Sequence, residues 1–126
     1  MPKDLVLIVE DNPAEQAVLT ALAKRAGVRS HIVGSGREAL TALSESSEYT
    51  MIFMDCKMLT MDGLECARHI RNNETETGMH IPIVAMTAVD SDSAEFECRR
   101  AGMDEFLHKP FRIQDFDMLI KRYCCR

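Results

Sequence analysis

Five short apolar runs recur along the chain: LVLIV at 5–9, HIV at 31–33, MIFM at 51–54, IVAM at 83–86 and EFLH at 105–108. Each is short enough to read as a buried strand. Helix signals fill the gaps. Asn12, Pro13 and Glu15 read as an N-cap, a proline at the first helical position and a capping-box glutamate. Ala14, Val18, Ala21 and Leu22 then mark one face, and Gly27 is a stop. Ser35 with Glu38 opens a second helix before Leu40 and Leu43. Asp62 with Glu65 opens a third before Leu64, Ala67 and Ile70, with Asp62 as its cap. Ser91 or Asp92 caps a fourth that ends near Gly102, and Ile113, Phe116, Leu119, Ile120 and Tyr123 suit a fifth. Five strands alternating with five helices imply an α/β domain, its mostly parallel sheet covered on both faces.

A length of 126 residues fits one domain spanning 1–126. No linker, low-complexity segment or second domain interrupts the pattern, and ETETG at 74–78 reads as a polar loop. The longest apolar runs hold about five residues against the roughly 20 of a membrane span, and no signal-peptide pattern opens the chain. A formal net charge of −5 disfavours nucleic-acid phosphates as the main partner. Of the five cysteines, none forms a CxxC pair, which suits free thiols in a reducing cytoplasm. Adjacent Cys124 and Cys125 are the pair expected to be exposed and to oxidise between molecules.

Ligands of open α/β sheets bind beyond the carboxyl ends of the strands. Glu10 and Asp11 follow the first apolar run, Asp55 the third, Thr87 the fourth and Lys109 the fifth; the second offers only Gly34 and Ser35. Three carboxylates on one edge repel one another and call for a counter-charge. Magnesium suits them, because it prefers carboxylate oxygen and retains waters. Beside a cation and a lysine, a carboxylate can attack phosphorus and form an aspartyl phosphate. Acidic residues also cap helices or solvate strand ends, a reading respectable for Glu10 or Asp11 alone and weak for five such groups together. The scattered histidines (His31, His69, His80, His108) read as surface or core residues. Arg68, Arg71, Arg99 and Arg100 read as solvated helix faces, and the nine methionines as core filler.

LIVEDN (7–12), MDCKMLTMDG (54–63), AMTA (85–88) and FLHKPF (106–111), in this order, resemble the receiver domain of two-component response regulators over nearly the full length. HIPIVAMTA and GMDEFLHKPF look most like receivers of hybrid histidine kinases. The resemblance implies a flavodoxin-like fold of strand order 2-1-3-4-5. It makes Asp55 the phosphoacceptor. Glu10 and Asp11 become the pair holding magnesium, with the backbone carbonyl of Lys57 as a further ligand. Thr87 becomes the switch hydroxyl, Lys109 the ion-pairing lysine and Phe106 the switch aromatic, and Lys109-Pro110 falls where the family has a cis bond. Two positions depart from the pattern. Leu59 stands where most members have proline, which implies a less rigid loop. Glu10 stands where many have aspartate, and its longer side chain is expected to reach the metal through water.

The expected activity is therefore that of a phosphorylation-dependent switch, not an enzyme beyond self-catalysed phosphoryl transfer and slow autodephosphorylation. Its partners would be a histidine kinase or histidine phosphotransfer protein and a downstream protein. Two rivals remain at this point. A receiver that only docks partners would fail a phosphate-analogue binding test. A magnesium-dependent phosphatase would turn over a small phosphate ester, but needs a second acid and a cap for which no segment is spare. A DNA-binding output is a weak third, since little chain follows the fifth helix.

Overall fold

The computed structural model describes residues 4–57, 62–88 and 92–124. The elements alternate as β1 (Leu5–Val9), α1 (Pro13–Arg25), β2 (Arg29–Val33), α2 (Gly36–Glu45), β3 (Tyr49–Asp55), α3 (Gly63–Glu74), β4 (Ile83–Thr87), α4 (Asp92–Arg100), β5 (Glu105–His108) and α5 (Ile113–Tyr123). All strand pairings are parallel, in the order β2-β1-β3-β4-β5. This is the doubly wound, flavodoxin-like arrangement expected from the sequence.

Strand side chains alternate between two cores. Val6 and Ile8 of β1, Met51 and Phe53 of β3, and Val84 and Met86 of β4 pack against α1 and α5, where the Phe53 and Phe116 rings stack at 4.7 Å. Leu7, Val9, Ile52, Met54, Ile83 and Ala85 face Ala39, Ala67, Ile70 and Cys98 of α2, α3 and α4. Burial on both faces removes the polar alternation of a half-exposed strand, which is why these strands read as continuous apolar runs.

The caps Asn12, Ser35 and Asp62 each accept a hydrogen bond from the backbone N–H three residues on. Ser91 lies outside the described residues, and α4 begins at Asp92. Gly27 (φ 84°) follows α1 and Gly102 (φ 102°) follows α4, both in left-handed backbone that suits glycine.

The expected face of α1 is wrong. Ala14, Val18 and Ala21 are exposed, and the helix buries Leu19, Leu22 and Ala23. Apolar residues lie nearly all round this helix, so spacing alone does not choose its buried side. Ile113 is likewise 47% exposed, while Phe116, Leu119 and Ile120 carry the buried face of α5. Among the methionines, 51, 54, 86 and 103 are core, whereas Met79 and Met118 are exposed.

Arg71 is not on a solvated face either. Its guanidinium donates to Gly102 O (2.9 Å), Glu74 Oε1 (2.6 Å) and Asp104 Oδ2 (2.7 Å). Glu74, from the presumed plain loop, also accepts from Ile81 N at 2.7 Å. His80 joins the cluster through Asp104. Arg71 thus ties the end of α3 to the turn after α4.

At the edge of the sheet, Glu105 accepts from Tyr123 Oη (2.6 Å) and Arg122 Nη1 (2.7 Å), joining β5 to α5. Burial pushes the Glu105 carboxyl up, but these two donors outweigh it and hold it below the ordinary value. A depressed carboxyl contributes stability that is present above its unfolded pKa of 4.5 and lost as pH falls through the lower folded value. Glu105→Gln is expected to cost about 1 kcal/mol at pH 7 in urea unfolding, the half-exposed Arg122 adding little. The difference from wild type should shrink below pH 4.5. A difference that grows there would contradict this pairing.

Candidate functional site

The parallel register sets the carboxyl ends of the three central strands side by side: Val9 aligns with Met54, and Met54 with Ala85. The residues that follow therefore meet at one edge. Glu10 continues the alternation of Val6 and Ile8, and Asp55 that of Met51 and Phe53, so both fall on the α1/α5 side. Both are buried, Glu10 completely and Asp55 with 6% exposure.

Carboxylate oxygens of Glu10, Asp11 and Asp55 all lie within 4.8 Å of one another. Lys109 Nζ lies 3.2 Å from Glu10 Oε1, 3.6 Å from Asp55 Oδ1 and 2.7 Å from Glu15 Oε1. Glu10 Oε2 accepts from Asn12 N at 3.1 Å, and Asp55 Oδ1 accepts from Lys57 N at 3.1 Å. Glu15 is thus no capping-box residue: Glu10 takes the N-cap amide, and Glu15 turns to Lys109. The sequence held one signal for this, since the first turn of α1 starts directly from the acidic pair and must border the same edge.

The charges are unevenly matched. Burial raises the Glu10 carboxyl, and the Asp55 charge adds to that, against the Asn12 amide and Lys109. For Lys109, burial pulls the ammonium down, but the Glu15 hydrogen bond and the charges of Asp55 and Glu10 raise it overall. One ammonium among four carboxylates leaves negative charge uncompensated. Hard, closely spaced oxygen donors with that excess fit magnesium.

Thr87 ends β4 with 6% exposure, and its carbonyl accepts from Lys109 N at 2.7 Å. Phe106 pairs with Ala85 in the register and lies on the α4 side, under the Arg99 guanidinium at 4.7 Å. Arg99, too, is engaged with a ring and not merely solvated. The Lys109-Pro110 bond is cis. Leu59 lies outside the described residues. Beside the acidic edge, a cavity of about 550 Å³ is lined by Glu15, Val18, Leu22, Lys109, Phe111 and Ile113, among others. It accounts for the exposure of Val18 and Ile113.

The response regulator receiver domain model matches residues 6–121. The chain belongs to the response regulator receiver family. Hybrid signal transduction histidine kinase L of Dictyostelium discoideum is 34% identical, over 94% of this chain and 7% of that protein. The receiver thus spans a small fraction of the length of that relative. The receiver domain of the Saccharomyces cerevisiae response regulator Ssk1, solved in complex with the histidine phosphotransfer protein Ypd1, superposes with a TM-score of 0.91 at 30% identity, covering 98% of this chain and 90% of that one. The receiver of a Pseudomonas aeruginosa sensor histidine kinase, solved with magnesium coordinated in its active-site cleft, superposes at 0.85 with 32% identity, covering 96% and 97%. These three relatives are a hybrid histidine kinase, a response regulator downstream of a phosphotransfer protein, and a sensor histidine kinase.

Proposed function

We propose that Asp55 of this receiver accepts a phosphoryl group from a phosphohistidine, with magnesium held by Glu10, Asp11, Asp55 and the backbone carbonyl of Lys57. The observation that carries this reading is the buried acidic cluster with Lys109 reaching into it. Magnesium, when bound, neutralises the carboxylates and phosphoryl oxygens so that anion can approach anion. An Asp55 oxygen attacks phosphorus as the bond to the donor imidazole nitrogen breaks, and the ring takes up a proton. Lys109 follows the new charge. Thr87 donates its hydroxyl hydrogen to a phosphoryl oxygen. Autodephosphorylation by water would be slow.

The apolar cleft of Val18, Phe111 and Ile113 supports a docking role for the phosphohistidine donor, since it opens beside Lys109. The donor would be a histidine kinase or a phosphotransfer protein. Residues 1–126 would act as a single receiver domain in the cytoplasm; among the described residues no helix is long and apolar enough to cross a membrane. A phosphotransfer profile against kinases and phosphotransfer proteins tests the reading. Magnesium-dependent transfer from at least one is expected, and turnover of a small phosphate ester instead would favour a phosphatase.

Magnesium binding without phosphate should be weak, because few protein oxygens are offered and the remaining positions keep water. Asp11→Ala is expected to abolish it in a calorimetric titration. Wild-type affinity in that variant would remove Asp11 from the site.

Signal output requires an element with two arrangements that phosphorylation biases differently. Moving the Thr87 hydroxyl toward the phosphoryl group frees space beneath the following loop, and the Phe106 ring leaves Arg99 to enter it. Phe106 lacks a phenol hydroxyl, so packing alone governs its choice and activation is expected to be partial. The face of α4, β5 and α5 would then engage a downstream protein. Beryllofluoride should shift NMR signals of residues 87–92 and 104–116. Thr87→Ala should confine the changes to the surroundings of Asp55, and distant changes that persist would break this coupling.

A further inference from the structure

Cys56 and Cys98 place their sulfurs 3.7 Å apart, across 42 residues of chain. Cys56 directly follows Asp55 and is partly exposed; Cys98 comes from α4 and is buried. The other described thiols are engaged differently. Cys66 lies 3.5 Å from Gly36 O and Cys124 lies 3.7 Å from Met51 Sδ. Cys124 is buried, contrary to the expectation of an exposed pair at 124 and 125, and Cys125 lies outside the described residues.

We infer that Cys56 and Cys98 form an oxidant-sensitive dithiol whose intramolecular disulfide fastens α4 to the strand end that carries the phosphoacceptor. A disulfide needs its sulfurs about 2.05 Å apart, so the pair must close by roughly 1.6 Å. Rotation of the two side chains supplies part of this, and a small shift of α4 supplies the rest. Such a shift is available to α4: Cys98 is its one buried residue among those described. Cys56 is held by its backbone, its N–H donating to Met86 O at 3.0 Å and its carbonyl accepting from Gly63 N at 3.3 Å. The closing movement therefore falls on α4, and the bond would add a covalent tether at the buried position of that helix.

The oxidant is a hydroperoxide. The Cys56 sulfur, having given up its proton, attacks the peroxide oxygen; the O–O bond breaks and leaves a sulfenic acid with release of an alcohol or water. The Cys98 sulfur then attacks the sulfenic sulfur. The S–S bond forms, the S–O bond breaks, and water carries away the hydroxyl and the Cys98 proton. Two thiols are oxidised and one peroxide is reduced. Burial holds both thiols above their ordinary pKa, Cys56 strongly so, and formation is therefore slow and follows sustained oxidation.

The test exposes native, unphosphorylated protein to hydrogen peroxide. Peptides are mapped without reduction, and amide exchange is followed in α4. A monomer with a Cys56–Cys98 linked peptide is expected, absent from Cys56→Ala and from Cys98→Ala. Exchange within α4 should slow by about tenfold or more in the oxidised form and recover on reduction. Cys56 and Cys98 left unlinked, a link that forms only after circular dichroism shows unfolding, or α4 amides unchanged by the link would each overturn the inference.

Discussion

Asp55→Asn is expected to lose phosphoryl uptake from acetyl phosphate, by about a thousandfold or more, the scale of removing a reacting group. The carboxamide keeps the shape of the side chain and leaves the Lys57 amide and Lys109 in place. It lacks the anionic oxygen proposed to attack phosphorus and bind the cation. The loss should not come from misfolding. Asp55 adds to the burial that already raises Glu10, so removing its charge relieves repulsion at a completely buried carboxyl. Stability equal to or above wild type is therefore expected in urea unfolding, and mass spectrometry reads the labelling. Equal labelling of both proteins would move the phosphoacceptor elsewhere.

Gly63→Ala is expected to cost about 2–3 kcal/mol, the scale of a steric insertion into close-packed structure. It should also slow uptake. A Cβ at Gly63 would stand 2.4 Å from the Asp55 carbonyl oxygen and 2.9 Å from Cys56 Cα. Both obstacles are backbone, so no side chain can simply rotate away. Glycine is required here by close approach of the α3 start to the end of β3, not by its own torsions. Either α3 shifts outward or the tip of β3 does, and the second displaces Asp55 itself. Urea midpoints and the rate of acetyl phosphate labelling read the two effects. A variant as stable and as reactive as wild type would mean that this junction yields freely.

Strand positions and strand-end placement were legible because burial on both faces forces continuous apolar runs, and parallel connections put every run's following residue on one edge; the strand order came only with the resemblance to receiver domains. LVLIV and EFLH coincide with β1 and β5. The buried face of α1 was not legible, since an apolar residue at Val18 serves a cleft as readily as a core. Arg71 and Glu15 escaped for a related reason. On a helix Arg71 looks solvated and Glu15 looks like a capping-box residue until the partner that reaches each is known, and Asp104 and Lys109 are 33 and 94 positions away. Gly63 entered only as the last residue of MDCKMLTMDG, and its need for glycine was not legible because the atoms that forbid a Cβ belong to another element. The pairing of Cys56 with Cys98 depends on where α4 lies over the sheet, which no spacing encodes.

The central claim is tested most directly by phosphoryl transfer from a phosphohistidine donor, with the site fixed chemically. The receiver would be incubated with a phosphorylated histidine phosphotransfer protein and magnesium, then trapped with borohydride, which reduces an aspartyl phosphate to homoserine. Homoserine at position 55, present with magnesium and absent with a chelator, is the expected result. Homoserine at another aspartate, or label that stays on the donor throughout a panel of such proteins, would contradict it.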